Sequence, residues 1–520
     1  MTNFSRISIV LAVIAIASCS KSIPTAPVMN DHSNSPDRIL GNFPEPVQLF
    51  GDGYDAASAD IAEILQGPGL LNPSQWGFPW ENYNPSGEKW AVTVARIKRD
   101  EGIYGIEYRF AGEGTNRLSN IIELADESDE PILGDIRLPK VASCFIYING
   151  HLTNGFVEVT IAYQWREDSE DPWAIRVSRM WFNPYDFENN LNNMYPEVIH
   201  EGYQEYYIIE NDSGYGDIMP DVEYDPRYSG NLWLCFTRWT NSQFTSNRIC
   251  IVKGSRAVYP HWNIINWENV GPKEAVVISD YNGYNPRIAI GECELYPLPY
   301  AWNKAVTYTN QQQKFSPAII YCGADWNGSP QNELYEVVWQ HWEFTMYGGG
   351  LPVIDIGPPN SNYGAVVWTQ ARSSSLNNLT VAFVDSLGNY GTLHETAGED
   401  MPGSCMGSVA VHNYISGDIR SSVSYFWNQS VEEEYYWEPR AVFVDADTSG
   451  SEEVNLSGYI HEISEEIYGH WNVGSFVNHH YGMNTALTVF DNNFWMVWSG
   501  TDDGSAPVEV WGTYGNTDYD

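Results

Sequence analysis

Short runs of β-branched and aromatic residues, separated by polar turns, make up most of this 520-residue chain. The clearest example lies near the C-terminus, where three such runs cover Ala486–Phe490, Phe494–Trp498 and Val508–Tyr514. The turn Asp491–Asn493 between the first two is so short that the runs on either side can pair only as antiparallel neighbours. This segment is therefore predicted to be a β-meander.

The same pattern recurs along the chain as a unit of three or four predicted strands. Each unit opens at a proline or small residue, and its second strand ends in an aromatic residue. The predicted units begin at Pro139, Pro220, Pro286, Pro352, Gly407 and Asn484. Upstream, the last three strands of one more unit are predicted at Trp90–Ile97, Tyr104–Phe110 and Ile121–Leu124. The sequence thus predicts seven units.

A chain of antiparallel meanders must protect its sheet edges, and closure into a ring does so because every unit packs on the next. We therefore expect an all-β fold, a β-propeller of four-stranded antiparallel blades, with seven blades preferred and six as the alternative. The last unit shows three strands, so its fourth is expected to come from the N-terminal part of the chain. A pair of β-sandwiches competes, because short strands at regular spacing fit both architectures. The best helical candidate is the short segment Ala56–Leu65, and a fourth strand is predicted at Ala275–Ser279.

The N-terminal residues are predicted to be an export signal. Arg6 precedes the apolar run Ile7–Ala17, which is too short to cross a membrane as a stable helix. The run leads to Ile16-Ala17-Ser18-Cys19, which resembles the bacterial lipobox, and this resemblance implies that Cys19 becomes the lipidated first residue of the mature chain. An ordinary signal with a chance cysteine is the alternative. Ser20 stands where some inner-membrane lipoproteins have aspartate, which favours the outer membrane.

The chain accordingly divides into a signal peptide (1–18), a flexible tether (19–47) rich in Ser, Pro, Asn and Asp, and a propeller domain (48–520). On the lipobox and the repeat, it resembles the broad class of exported bacterial β-propeller lipoproteins. The S-x-D-x-G-x-x-W box of sialidase-type propellers is absent, as are the other motifs that mark propeller families. No family's catalytic residues can therefore be carried over.

The net charge limits the kinds of partner that the protein can bind, and the cysteine spacing limits the metal sites and disulfides that it can form. A formal net charge of −41 repels nucleic acid and anionic lipid headgroups, so contact with a membrane is expected only through the N-terminal lipid. The cysteines have no CxxC spacing, which argues against zinc clusters. Cys235 and Cys250 flank a predicted hairpin loop, so a cross-strand disulfide between them is one alternative. Buried thiols that form no disulfide are the preferred alternative.

Candidate ligand-binding residues come from the loops that lead into the first strands, because these loops surround the central channel of a propeller. The candidates are Asp280, Tyr281, Tyr284, Glu399, Asp400, His479, His480 and Tyr481. Carboxylates with flanking aromatics suit sugar stacking or acid–base hydrolysis, although acidic residues also simply solvate loops. Tryptophans in the second strands are interpreted as packing between blades rather than as a sugar platform; they are Trp165, Trp239, Trp368, Trp427 and Trp498.

A second local pattern follows the predicted strand Ala441–Val444. Oxygen-bearing side chains stand at positions one, three, five and nine of a loop with Gly450 at position six, and they belong to Asp445, Asp447, Ser449 and Glu453. This spacing resembles the calcium loops of some propellers, and hard oxygen ligands favour calcium over zinc. Leu456 at position twelve excludes an EF-hand. A solvated acidic turn is the alternative.

These patterns favour a lipid-anchored exported protein whose propeller is a binding platform for a glycan or an envelope protein, with calcium as a candidate cofactor. A glycoside hydrolase or lyase acting through acidic residues of the axial face is the first alternative. A structural subunit of an envelope assembly is the second. No nucleophile elbow, phosphate loop or H-E-x-x-H motif is present. The sequence therefore does not decide between catalysis and binding, and it favours binding. If the protein is an enzyme, it is expected to be a glycosidase-type hydrolase.

Overall fold

The computed structural model describes most of the strand-forming part of the chain. The described residues are 46–66, 89–126, 129–147, 155–182, 204–209, 216–225, 231–241, 245–256, 265–268, 276–279, 282–295, 302–310, 316–323, 334–338, 349–357, 363–371, 377–385, 394–395, 405–413, 419–431, 434–446, 456–462, 469–470, 485–490, 493–500 and 507–516. Within these ranges all the regular elements are strands. No helix in this part of the chain has the length and apolar character that crossing a membrane requires.

The strands form seven antiparallel blades, numbered here in chain order. β1 (Val47–Phe50) belongs to the last blade. Blade 1 consists of β2 (Ala56–Gln66), β3 (Ala91–Asp100), β4 (Ile103–Ala111) and β5 (Ile122–Glu123). Blade 2 consists of β6 (Asp135–Tyr147), β7 (Gly155–Arg166), β8 (Ala174–Phe182) and β9 (Gln204–Ile209). Blade 3 consists of β10 (Asp217–Asp225), β11 (Asn231–Trp239), β12 (Asn247–Arg256) and β13 (Ile265–Glu268), with β14 (Val276–Val277) also pairing with β12.

The remaining blades follow the same order. Blade 4 consists of β15 (Gly283–Leu295), β16 (Trp302–Asn310), β17 (Ser316–Gly323) and β18 (Leu334–Val338). Blade 5 consists of β19 (Gly349–Ile356), β20 (Tyr363–Ala371), β21 (Asn377–Asp385) and β22 (His394–Glu395). Blade 6 consists of β23 (Cys405–Asn413), β24 (Ile419–Val431), β25 (Glu434–Ala446) and β26 (Leu456–Glu462), with β27 (Gly469–His470) also on β25. Blade 7 consists of β28 (Thr485–Phe490), β29 (Asn493–Gly500) and β30 (Glu509–Asn516), completed by β1.

The blades close into a ring around an axis lined by their first strands. Each first strand lies beside the first strand of the next blade, and β28 of blade 7 lies beside β2 of blade 1. β1 pairs antiparallel with β30, Val47 opposite Gly512, so the N-terminal segment supplies the fourth strand of the last blade. Blades 1 and 2 are also joined through a parallel pairing of β2 with β6, in which Ile64 lies opposite Ser143. The predicted β-propeller, its seven blades and its closure by the N-terminal segment are confirmed.

A β-bulge interrupts six of the seven first strands near their start. In each, two residues of the first strand face one residue of the second strand; the bulged pairs are Ser58-Ala59, Leu138-Pro139, Met219-Pro220, Asn285-Pro286, Leu351-Pro352 and Met406-Gly407. The first residue of each of the first five pairs has a left-handed backbone, with φ between 48° and 56°. Proline has no N–H to leave unpaired and therefore suits the second position. The predicted strand starts at the prolines are wrong by a few residues, because the strands begin before the bulge.

Two other predictions about strands are wrong. Ala56–Leu65 is not a helix but lies in β2, where pairing with β3 and β6 overrides the local helix propensity of its alanines. The fourth strand of blade 3 is β13 rather than Ala275–Ser279. That predicted stretch contains only the short β14, which pairs with β12 at Cys250 and Ile251.

The core consists of layers of side chains between adjacent blades. Trp239, Trp368 and Trp498 are buried, which confirms the predicted packing role for these three. Trp165 is partly exposed, and its Nε1 donates a hydrogen bond to the Leu133 carbonyl at 3.2 Å. The side chain of Trp427 lies outside the part of the structure that is described, so its predicted role stays a prediction.

The cysteines of β11 and β12 are free thiols. Cys235 lies opposite Ile251, whereas Cys250 lies opposite Phe236, so the two cysteines are on opposite faces of the blade. Both are buried and form no disulfide, and the same holds for Cys144. The alternative prediction of a cross-strand disulfide is therefore wrong. The preferred prediction of buried thiols is confirmed for these three residues.

Candidate functional site

Charged side chains follow the bulge in four consecutive first strands. The first position after the bulge, called here the first axial position, is occupied by Asp60, Lys140, Asp221, Arg287, Val353 and Ser408 in blades 1 to 6. Negative and positive charges thus alternate from blade 1 to blade 4. Successive strand residues point to opposite faces, so the residue two positions further on shares the face of the first axial position.

That second axial position is alanine in most blades. It is occupied by Ala62, Ala142, Glu223, Ala289, Asp355 and Ala410 in blades 1 to 6. The residue between the two axial positions is β-branched and buried in every one of these blades; the set is Ile61, Val141, Val222, Ile288, Ile354 and Val409. Glu223 and Asp355 therefore depart from the packing rule of the repeat, and departures of this kind are expected at functional or strained sites. We call Asp60, Lys140, Asp221, Glu223, Arg287 and Asp355 the axial cluster.

Two aspartates of the axial cluster bridge neighbouring blades in the same way. Lys140 Nζ lies 2.8 Å from Asp60 Oδ1, and the Val141 main-chain N–H donates to Asp60 Oδ2 at 3.0 Å. Asp221 repeats this arrangement at the boundary of blades 3 and 4. Arg287 Nη1 lies 3.4 Å from Asp221 Oδ1, and the Ile288 N–H donates to Asp221 Oδ2 at 2.8 Å. Each carboxylate is thus held between a cation and a main-chain N–H of the following blade.

Asp355 makes a related bridge from blade 5 to blade 6. Its Oδ2 accepts the N–H of Val411 at 2.6 Å, and its Oδ1 accepts the N–H of Ile356 at 2.9 Å. Burial raises the pKa of the Asp355 carboxyl to about 7, although both N–H donors oppose this shift. Near neutral pH this carboxyl is therefore shared between its protonated and ionised forms.

Glu223 is another carboxyl of the axial cluster whose acidity is changed by its surroundings. Among the described residues it forms no ion pair, and its Oε1 accepts the N–H of Tyr224 at 2.9 Å. Burial raises the pKa of Glu223 well above its usual range, and the negative charges of Asp221, Asp355 and Asp60 raise it further. Glu223 is therefore protonated under conditions in which an exposed glutamate is ionised, although its side chain is still partly exposed.

Both cations of the cluster act on Asp221, although Lys140 is paired directly with Asp60. The pKa of Asp221 is raised above its ordinary value, because the effect of burial outweighs the opposing charges of Arg287 and Lys140 on either side of it. Burial and the Arg287 guanidinium together lower the pKa of Lys140. Asp221 and Glu223 are two residues apart on one face of β10, which separates their Cα atoms by roughly 6.6 Å. A proton donor and a more acidic carboxyl are thus adjacent on the same strand.

Tyr284 lies elsewhere than predicted. It belongs to β15 rather than to a loop, its side chain is buried, and its ring packs edge-on against Trp239 with 5.6 Å between centroids. The same cluster contains Trp173, whose ring lies 4.5 Å from Cζ of Arg137 and 4.2 Å from Cζ of Arg166. Tyr284 is therefore a packing residue between blades 3 and 4 rather than a residue of the rim.

The other predicted site residues lie outside the described part of the chain, and their roles stay predictions. They are Asp280, Tyr281, Glu399, Asp400, His479, His480 and Tyr481, together with Asp447, Ser449 and Glu453 of the calcium loop and Cys19 of the lipobox. Asp445 lies in β25, with its main chain opposite Arg420 and Ser457. The described residues contain no group of three or more His, Cys, Asp or Glu side chains that could hold a metal ion.

The axial cluster is not among the predicted site residues, because those candidates lie in the loops before the prolines. The signal stands directly after them, where the repeat reads Pro-Lys at 139, Pro-Asp at 220 and Pro-Arg at 286. Asp60 has no proline before it and could not have been found in this way.

Comparisons with known proteins give remote structural similarity alone. No family model and no curated protein matches the sequence. An α-L-arabinofuranosidase from Fusarium graminearum is 8% identical, with 73% of this chain and 93% of that chain covered and a TM-score of 0.39. A subtype N10 neuraminidase-like protein of the isolate from a little yellow-shouldered bat in Guatemala is 9% identical, with 92% and 99% covered and a TM-score of 0.37. An endo-arabinase from Bacteroides thetaiotaomicron is 10% identical, with 74% and 94% covered and a TM-score of 0.26. Similarity at this level does not assign a site or an activity.

Proposed function

We propose that this protein is a glycoside hydrolase whose reaction takes place at the axial cluster. The observation that carries the proposal is the pair Asp221 and Glu223, two carboxyl groups on one face of β10 whose surroundings differ in charge. Hydrolysis of a glycosidic bond needs one carboxylic acid and one carboxylate, and pairs whose pKa values are driven apart identify the two roles.

In this proposal Glu223 is the general acid. Its carboxyl donates a proton to the glycosidic oxygen as the bond from that oxygen to the anomeric carbon breaks, and the leaving group departs as an alcohol. Asp221, next to Lys140 and Arg287, supplies the negative charge that stabilises the positive anomeric carbon. Water adds to that carbon either directly, with Asp221 accepting its proton, or after a covalent ester with Asp221 has formed.

The test uses the full-length protein and a panel of 4-nitrophenyl glycosides. Glu223→Gln keeps the shape of the side chain but cannot donate a carboxyl proton, so kcat should fall by about two to four orders of magnitude. Asp221→Asn should cause a comparable loss. Glu101→Gln, in the exposed turn between β3 and β4, is the matched control and should leave turnover unchanged. Full activity in folded Glu223→Gln would refute the assignment.

A binding platform without turnover is the second candidate function. It is favoured by the bridges at Asp60, Asp221 and Asp355, since a carboxylate that accepts a main-chain N–H of the next blade also stabilises the ring. A folded protein that binds glycans or an envelope protein and hydrolyses none of the panel would support this function over the first.

We further propose that the chain is exported and anchored to the outer membrane through a lipid on Cys19. The lipobox resemblance supports this proposal. Mass spectrometry of the N-terminal peptide should detect a diacylglyceryl cysteine, and Cys19→Ser should release the protein from the membrane fraction. An unmodified Cys19 would contradict the proposal.

A further inference from the structure

Arg287 is the more accessible of the two cations in the axial cluster. Its side chain is 26% exposed, whereas that of Lys140 is 7% exposed. Lys140 Nζ lies 2.8 Å from Asp60 Oδ1, but Arg287 reaches Asp221 only through Nη1, which lies 3.4 Å from Oδ1. The contact of Arg287 with Asp221 is thus longer than an ordinary hydrogen bond, and it uses a single nitrogen.

The other two guanidinium nitrogens of Arg287 are accessible donors. Among the described residues, neither Nε nor Nη2 has a hydrogen-bond partner. Neither atom is one of the buried nitrogens that lack a partner there, so both are accessible to solvent. The adjoining axial positions, Ala289 on the same strand and Val353 in the next blade, have no side-chain acceptor. The edge of the guanidinium formed by Nε and Nη2 is therefore available to a ligand.

Other arginines of this protein show what such an edge binds. Four of them bond one carboxylate through both Nε and Nη2, at distances from 2.5 to 3.2 Å; the pairs are Arg137 and Arg166 with Asp135, Arg179 with Glu158, and Arg238 with Asp217. The planar fork of a guanidinium matches the two oxygens of a carboxylate. Arg287 differs from these four because no described side chain occupies its fork. A carboxylate is therefore the group that this edge fits.

The fork of Arg287 lies beside the two carboxyl groups proposed for hydrolysis. Arg287 contacts Asp221, which shares one face of β10 with Glu223. A uronate unit of a glycan has its carboxylate on the same ring as its anomeric carbon, so one sugar ring can contact Arg287 and the carboxyl pair together. The negative charge of the uronate also disfavours the ionised form of Glu223 and so preserves the proton donor.

The net charge of the chain does not exclude an anionic sugar at this position. The formal net charge of −41 is spread over the whole chain, and salt screens exposed charges beyond about 8 Å at physiological ionic strength. Near the axis, the two cations of the cluster offset Asp60 and Asp221, and Glu223 is protonated. The direct contact between a guanidinium and a carboxylate is short and therefore outweighs the screened repulsion.

We propose that Arg287 binds the carboxylate of a uronate unit through Nε and Nη2, which makes uronate-containing glycans the substrate class of the axial cluster. Hydrolysis of such a glycan rests on the function proposed for the axial cluster, whereas binding of the carboxylate is independent of it.

The experiment separates binding from turnover in the full-length protein. Isothermal titration calorimetry measures binding of the trisaccharides of glucuronate, galacturonate and mannuronate, with the neutral trisaccharides of glucose, galactose and mannose as counterparts. Turnover of 4-nitrophenyl uronides and of the neutral 4-nitrophenyl glycosides is measured in parallel.

The decisive variant is Arg287→Lys, which keeps a positive charge beside Asp221 but lacks the fork. It should weaken uronate binding by about tenfold or more and leave the binding of neutral trisaccharides unchanged. Arg137→Lys is the matched control, because the side chain of Arg137 is 23% exposed but its fork is occupied by Asp135. This control should bind uronates as the wild type does. Arg287→Gln repeats the test if Arg287→Lys does not fold.

The outcomes distinguish this proposal from the hydrolase. Loss of uronate binding in folded Arg287→Lys, with no glycoside hydrolysed by the wild type, would refute the hydrolase and support the carboxylate site. Turnover of neutral glycosides by a protein that binds no uronate trisaccharide would do the reverse. Equal losses for uronates and neutral sugars would show that Arg287 only supports Asp221. That result, unchanged uronate binding in Arg287→Lys, or an equal loss in Arg137→Lys would each overturn the proposal for Arg287.

Discussion

Asp221 joins blades 3 and 4 by accepting the main-chain N–H of Ile288 at 2.8 Å. The first strand of a blade has an unpaired edge toward the axis, and a buried N–H without a partner is costly. Asp60 and Asp355 make the equivalent bond at the boundaries of blades 1 and 2 and of blades 5 and 6. These aspartates thus stabilise every second boundary from blade 1 to blade 6, and they bring carboxylates to the axis.

Asp355 should make stability depend on pH. Its pKa of about 7 in the folded protein is above the ordinary value of 3.8, so the folded state retains a proton that the unfolded state releases. This contribution to stability is complete below pH 3.8 and is lost as the pH rises to about 7. Asp355→Asn should therefore show a smaller fall in urea midpoint between pH 4 and 7 than the wild type. An identical fall in both proteins would contradict this expectation.

The pH profile of any glycosidase activity should shift in the same variant. The acid form of Glu223 is the active one in our proposal, so kcat/KM should fall as the pH rises through its pKa. Replacing Asp355 by asparagine removes a nearby negative charge and lowers that pKa. The alkaline limb of the profile should move to lower pH in Asp355→Asn. A shift of the alkaline limb to higher pH would contradict the assignment of Glu223 as the general acid.

A buried ion pair between β7 and β8 should be sensitive to loss of one partner. Arg179 Nη2 lies 2.9 Å from Glu158 Oε2, and Tyr224 of blade 3 donates to Glu158 Oε1 at 2.7 Å. Both charged side chains are buried. Glu158→Gln should lower the free energy of unfolding by about 3–5 kcal/mol, because it leaves the guanidinium uncompensated. The double variant Glu158→Gln/Arg179→Met should be less destabilised than Glu158→Gln alone. If the two single variants lower the free energy of denaturant unfolding by amounts that add up in the double variant, this explanation is wrong.

The closing strand should be needed for the stability of the whole ring. Leu49 of β1 is buried between blades 7 and 1, and its carbonyl accepts a hydrogen bond from Arg109 Nη1 at 3.1 Å. Leu49→Ala should cost about 2–5 kcal/mol through the cavity it creates. Gln48→Ala, one residue away, is the control and should cost less. Equal urea midpoints for Leu49→Ala and the wild type would show that closure contributes little.

The buried thiols should react only after unfolding. Burial raises the pKa of Cys250 to about 12 and that of Cys235 well above its usual range, so neither is a thiolate at neutral pH. Iodoacetamide should alkylate Cys144, Cys235 and Cys250 in denatured protein without reductant and leave them unmodified in folded protein. Mass spectrometry of the peptides provides the measurement. A disulfide-linked peptide containing Cys235 and Cys250 would contradict the structure.

Much of the fold could be predicted because its signals are local. The runs at 486–490 and 494–498 lie in β28 and β29, and the run at 508–514 overlaps β30 from Glu509 onward. The short turn between the first two runs allowed only antiparallel pairing. The repeated prolines were also a correct signal, although they mark bulges rather than strand starts. β2 was missed, since its alanines favour a helix locally and only its pairing with β3 and β6 makes it a strand.

The candidate site could not be found in the same way. Tyr284 stands in a segment that resembles a loop, yet the bulge of β15 turns it into the packing between blades. Glu223 lies in an ordinary strand pattern, and only alignment of the repeat on its bulges, which the structure supplied, shows that most blades have alanine at this position.

The amino-acid sequence alone determined the strands, the turns, the repeat and the requirement for closure, since each follows from the preferences of neighbouring residues. Tertiary structure alone decided that Asp60, Asp355 and the pair Asp221 and Glu223 act on one another near the axis, because residues from three distant parts of the chain approach only when the ring closes. The acidity of Glu223 depends on burial and on the charges around it, and both exist only in that closed ring.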